Sequence, residues 1–185
     1  MKISEEWDWE SLTSLSVPSN QLRQHLGRLL GRDAEERKRA GGLLYCEVAN
    51  QGHLYSAAAP CVDIIAEHVE SGGGFSSDSI ALLESILNAR SPGLQVAVGG
   101  VRVDVSEYCR KRILDLLPEI LREADGRDVQ LFREVCFLIP QLADSSHEVI
   151  EFLNLSISRF DGELRRVSSE ALEEAQEVLR DGHMP

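Results

Sequence analysis

LYSAAAPCVDIIAEHVESGGG, residues 54–74, decides the reading of the fold. Leu54, Ala57, Ala58, Cys61, Val62, Ile65 and Val69 fall at the three- and four-residue intervals that line one face of an α-helix. The stripe stops at Gly72-Gly73-Gly74, which continues a helix only at high entropic cost. The segment therefore predicts a helix that begins at Leu54 and closes before the glycines.

The same period extends in both directions. Towards the N-terminus, Ala40, Leu43, Leu44 and Val48 mark a helix that Asp33 can cap, and Leu22, His25, Leu26, Leu29 and Leu30 mark one that ends near Gly31. Towards the C-terminus, Ser76, Ser77 or Asp78 caps a helix with Ile80, Leu83 and Leu87 inward. After Ser91-Pro92-Gly93 the texture changes. Leu94, Val96 and Val98 alternate before Gly99-Gly100, and Val101, Val103 and Val105 alternate after it. Period two on both sides of Gly-Gly is the signal of a β-hairpin over 94–105, with a loop as the alternative. One long stripe follows from Val105 to Ala124, which Pro118 bends or truncates. Leu131, Phe132, Val135, Cys136, Ile139 and Leu142 form the next, over 127–143, with a kink at Pro140. Ser145 or Ser146 caps a helix through Val149, Leu153 and Ile157, and a last helix carries Leu164, Val167, Ala171, Ala175 and Leu179.

Eight amphipathic helices in consecutive pairs, beginning near residues 20, 54, 105 and 147, predict an all-α chain. The architecture expected is a short α-solenoid of about four helical hairpins, interrupted by the insert at 91–104. A compact helical bundle is the competing arrangement. Residues 1–185 form a single repeat domain in this reading. Trp7, Trp9, Leu12 and Leu15 within 1–18 cap one end, and 181–185 fray. The outer stripe Glu163, Glu170, Glu173, Glu174 and Glu177 gives the last helix the polar face of a terminal cap.

The net charge is −12, concentrated at the ends: −3 over residues 1–18 and −5 over 146–185, against −2 for each of 19–90 and 91–145. Such a surface repels phosphate backbones and anionic lipid, so nucleic acid and membrane are poor partners and a basic protein is a good one. Cys46, Cys61, Cys109 and Cys136 include no CxxC pair and lie on helix stripes, which predicts four reduced core thiols in a cytoplasmic protein. The acidic start MKISEEWDWE has no apolar core and does not read as a signal peptide.

Residues 43–65 read LLYCEVANQGHLYSAAAPCVDII. This resembles a bacterial HEAT-like repeat family whose members carry His-Gln-Gly-x-x-Tyr-x-Ala-x-x-x-x-Pro between two helices. Gln51, Gly52, Tyr55 and Ala57 match, Pro60 lies near the proline position, and Asn50 stands where the family commonly has His. VPSNQLRQHLGRLLGRDAEERKRA resembles the family's first hairpin, and SEYCRKRILDLLPEILREADGRDVQLFREVCFLIPQL its Cys-Arg-containing pair. Members often stand beside toxin genes and are inferred to be immunity proteins. The resemblance thus implies an inhibitor of a cognate toxin domain; the alternative is a non-catalytic scaffold or adaptor. The motif also has a purely structural reading. Gly52 would make a tight turn, Gln51 and His53 would satisfy free groups at helix ends, and Tyr55 would turn its ring to the core and its hydroxyl to a partner.

Catalytic residues, metal ligands and cofactor-binding residues are not expected. His25, His53, His68, His147 and His183 are scattered, and His147-Glu148 is a single His-Glu step. There is no GxSxG and no P-loop. Arg37-Lys38-Arg39 and Arg110-Lys111-Arg112 sit among acids and read as solvated helix surface. Binding is what remains. The outward stripe Gln130, Arg133, Glu134, Phe137 and Gln141 presents an aromatic ringed by polar groups, the pattern of an interface hot spot. Asp78, Glu84 and Asn88 occupy the exposed side of the equivalent helix one repeat earlier, and the two sets would line one concave face.

Overall fold

The computed structural model describes residues 7–181. The first six residues of the expected N-terminal cap and residues 182–185 of the expected frayed tail lie outside the described residues. The chain is mostly helical, with a small two-stranded antiparallel sheet, and it divides into two compact units, residues 1–116 and 117–185.

The first unit opens on a 3-10 turn, Trp9–Ser11, followed by α1 (Ser19–Leu29), α2 (Ala34–Val48), α3 (Ala58–Glu70) and α4 (Ser77–Asn88). Strands β1 (Gln95–Val98) and β2 (Val101–Asp104) lead directly into α5 (Val105–Asp115). Capping residues set the helix starts. The Asp33 carboxylate accepts the Glu36 amide, Ser76 and Ser79 form a reciprocal capping box, and Asp104 accepts the Ser106 and Glu107 amides. The hairpin pairs Val96 with Val103 and Val98 with Val101. Its turn residues Gly99 and Gly100 take φ of 56° and 82°, the pair of positive values a two-residue type I′ turn requires. Helix packing runs in two layers: α1 on α3 and α3 on α5 in one, α2 on α4 in the other, with α1 and α2 joined as a hairpin.

Helix α3 begins at Ala58, not at Leu54. Started at Leu54, the helix would place Pro60 in its interior, where the ring leaves a carbonyl without a donor. Started at Ala58, it puts Pro60 in the first turn, where no amide is needed. The backbone of 54–57 bonds elsewhere: Tyr55 N–H to the Val48 carbonyl and Ala57 N–H to that of Thr13, both at 3.0 Å.

Glu47 ties the segment before α1 to the end of α2. It is 5% exposed, and its carboxylate accepts the Ser16 amide at 2.7 Å, the Ser16 hydroxyl at 2.6 Å and the Val17 amide at 2.9 Å. Burial raises the pKa of this carboxyl, but the hydrogen bonds from Ser16 and Val17 outweigh it and hold the group below its ordinary 4.5. A depressed carboxylate stabilises the native state above its unfolded pKa and loses that contribution as pH falls through the native one. Glu47→Gln is therefore expected to cost about 1–2 kcal/mol at neutral pH. Below pH ~4 the difference from the parent chain should shrink, as read by urea denaturation at a series of pH values.

The second unit holds α6 (Leu117–Glu123), α7 (Val129–Leu138), a 3-10 turn (Ile139–Leu142), α8 (Glu148–Arg159) and α9 (Gly162–Asp181). Nine α-helices thus stand among the described residues where the periodicity gives eight. The stripe from Val105 to Ala124 is two helices, because Pro118 has no amide to return to the Leu114 carbonyl. The predicted kink at Pro140 is the change from α-helix to 3-10 turn. Asp128 caps α7 by accepting the Leu131 amide at 3.0 Å. His147, not a serine, is the N-cap residue of α8 and gives it no side-chain cap, although the Ser146 hydroxyl accepts the Glu148 amide at 3.3 Å. Helix α9 packs on α7, on the 3-10 turn and on α8. Phe132 is fully buried between Phe160, edge-on at 5.2 Å, and Phe152 at 6.2 Å.

Candidate functional site

In the motif loop, Asn50–Gly52 form a 3-10 turn in which Gln51 and Gly52 take φ of 50° and 77°. A left-handed glutamine costs about 1–2 kcal/mol and needs the surroundings to hold it. They do so through the backbone. The Gly52 carbonyl accepts the Arg90 amide at 2.8 Å, and Ser91 Oγ donates to the Leu54 carbonyl at 2.7 Å while accepting the Leu54 amide. Ser56 Oγ accepts the Thr13 amide at 2.7 Å, and Thr13 Oγ1 accepts the Ser56 amide at 3.2 Å. The loop thus clamps residues 13 and 90–91 to the end of α2. Gly52 makes the turn, as expected. The side chains of Gln51 and His53 point to solvent instead of capping helix ends, and Tyr55 is half-buried.

Behind this loop lies a polar cluster that the sequence reading passed over. Asp63 on α3 is fully buried. Its carboxylate accepts Trp7 Nε1 at 3.0 Å, the Tyr108 hydroxyl at 2.7 and 2.9 Å, and Arg112 Nε at 3.2 Å. Arg112 reaches on through Nη2 to Glu70 at 3.0 Å. Burial, with the neighbouring Asp63 charge, pushes the Tyr108 hydroxyl far above its ordinary pKa, so it stays a donor. Burial alone would lower the Arg112 pKa, but Glu70 and then Asp63 raise it. Arg112 is therefore not the solvated surface cation expected; Lys111 beside it is exposed. The overlooked signal is an acid inside an otherwise apolar run, AAAPCVDIIA, because a buried charge requires partners. Between the hairpin and α5 the structure leaves a cleft of about 460 Å³, with Val98 and Val103 on one side and Tyr108, Lys111 and Arg112 on the other.

The cysteines correct a second expectation. Cys61, Cys109 and Cys136 are buried, but Cys46 is exposed, two residues past the inward Leu44 and so on the far side of α2. Burial pushes the Cys136 thiol up to about 12, against an opposing hydrogen bond to Ser168, and drives Cys61 and Cys109 well above their usual value. A thiol reagent under native conditions is expected to modify one cysteine per chain quickly and three only on unfolding. Peptide mapping should place the fast site at Cys46.

The partner-binding residues read from the sequence fall in both units. In the first, Asp78 turns to Arg37 on α2 at 3.9 Å, so Arg37 also departs from the solvated reading. Glu84 accepts from Asn88 one turn on. Asp78 stands roughly 120° around the helix from Glu84, and Asn88 roughly 40° from it. In the second unit, Phe137 is 45% exposed on α7. One turn to either side, Arg133 pairs with Glu163 of α9 at 3.3 Å and Gln141 donates to Glu174 of α9 at 2.8 Å. Gln130 donates to Glu134. Phe137 therefore stands between two cross-links to the acidic helix, with nearly half of its surface exposed. Among the described residues, no helix is long and apolar enough to cross a membrane, and no three His, Cys, Asp or Glu side chains gather where they could hold a metal ion. Comparison of the chain with known families, curated proteins and solved structures finds no match.

Proposed function

We propose that this chain is an immunity-type inhibitor: a short HEAT-like α-solenoid that binds a basic bacterial toxin domain and neutralises it by occlusion. The observation that carries the reading is Phe137, an aromatic 45% exposed and bracketed by polar groups on α7, next to the glutamate stripe of α9. A rigid ring set in polar, hydrogen-bonded surroundings is how an interface anchor is built. The net charge of −12 favours fast association with a cationic surface. The layered packing of α1, α3 and α5 against α2 and α4 supports the solenoid, and the resemblance at residues 43–65 supports the inhibitor. No chemistry is assigned to the chain. Co-expression with the product of the adjacent gene tests the reading. Restored growth and a one-to-one complex that weakens with salt are expected. A harmless neighbour, or a toxic one that the chain neither binds nor suppresses, would overturn it in favour of a scaffold.

A further inference from the structure

The register places Val96, Val98, Val101 and Val103 on one face of the hairpin. Val96, at the base, is 7% exposed, whereas Val101, at the tip, is 63% exposed. The hairpin is thus seated at its base and stands off at its tip, and the cleft lies along this apolar face and α5. Glu107, Lys111 and Asp115 project from successive turns of α5, as do Tyr108 and Arg112. Arg112 is committed to Asp63 and Glu70, and the Tyr108 hydroxyl is turned to Asp63, which leaves the ring to line the floor. Asp104 is likewise committed to the Ser106 and Glu107 amides, which leaves Glu107 and Asp115 against the single ammonium of Lys111, so the cleft carries a small excess of negative charge beneath an apolar wall.

We propose that this cleft receives an arginine side chain from the partner protein. The valine wall suits the methylene stem, the Tyr108 ring suits a stacked guanidinium, and Glu107 or Asp115 offers a carboxylate that a guanidinium can pair with in two-pronged fashion. An anion would meet three carboxylates, with Lys111 and an Arg112 already paired to Asp63 and Glu70 as the cations. Lysine would fill the slot but would forgo stacking and two-pronged pairing. The inference rests on the protein-binding reading above, and it names a contact of that binding.

Methyl NMR of the full chain, titrated with N-acetyl-arginine amide at low salt, tests it without the partner. Shifts are expected at Val98 and Val103, saturating in the ~mM range, with N-acetyl-citrulline amide giving none. Glu107→Gln with Asp115→Asn, both exposed positions, is expected to weaken the arginine effect about tenfold while the remaining spectrum stays in place. Equal shifts with citrulline, no shifts at these valines, or shifts with inorganic phosphate instead would overturn the assignment. Once a partner is in hand, the same double variant separates the two proposals. Weakened complex formation supports the cleft, whereas full affinity removes the cleft and leaves the inhibitor reading standing. Arginine-specific shifts with no toxic partner would remove the inhibitor reading and keep the cleft.

Discussion

Asp63→Ala is expected to destabilise the first unit by about 3–5 kcal/mol, the typical cost of removing one partner from a buried ionic cluster. The Asp63 side chain is fully buried, so the loss leaves Arg112 Nε, the Tyr108 hydroxyl and Trp7 Nε1 without their acceptor. Asp63→Asn keeps one acceptor oxygen but gives up the charge opposite Arg112, and should fall between the alanine variant and the parent. Both tryptophans of the chain, Trp7 and Trp9, lie in the first unit, so tryptophan fluorescence during urea denaturation reports that unit. The expected result is a lower midpoint with an unchanged slope. A loss below ~1 kcal/mol would mean that the cluster adds little to stability beyond what hydration would supply.

Phe137→Ala is expected to act in the opposite way, on binding and not on folding. With 45% of its surface exposed, the ring contributes little to the core, so the thermal midpoint should move by no more than ~2 °C. Partner affinity should fall by about 30-fold or more, equivalent to roughly 2 kcal/mol at an interface anchor. Phe132→Ala, five residues earlier on the same helix, provides the contrast. That ring is fully buried against Phe152 and Phe160, and its truncation should cost about 3–5 kcal/mol of stability. A Phe137→Ala chain that binds its partner as well as the parent would remove this face from the interface.

The contrast between these positions marks what the sequence makes legible. Helix faces and punctuation are local, so Asp33, Ser76, the Gly99-Gly100 turn and the break at Pro118 could be read from neighbouring residues alone. Phe137 was legible for the same reason: it departs from the apolar period of α7. The Asp63 cluster was not, because the partners lie 45 to 56 residues from Asp63 and each looks ordinary within its own window. Arg112 sits in a basic triplet that reads as surface, and only the packing of α5 on α3 turns it inward. Glu47 lies in the last turn of α2, and its partners, Ser16 and Val17, lie 31 and 30 residues away. The start of α3 was misplaced because Leu54 and Ala57 continue the helical period by chance, while the Tyr55 and Ala57 amides are taken by the Val48 and Thr13 carbonyls.

The central claim is that the chain captures a basic protein and blocks it. Isothermal titration of the purified full chain with the catalytically inactivated product of the neighbouring gene, at about 50 and 300 mM salt, tests this most directly. A one-to-one complex that weakens at the higher salt, and weakens again with Phe137→Ala, is the predicted result. Heat of dilution alone, or a complex indifferent to both salt and Phe137, would contradict it.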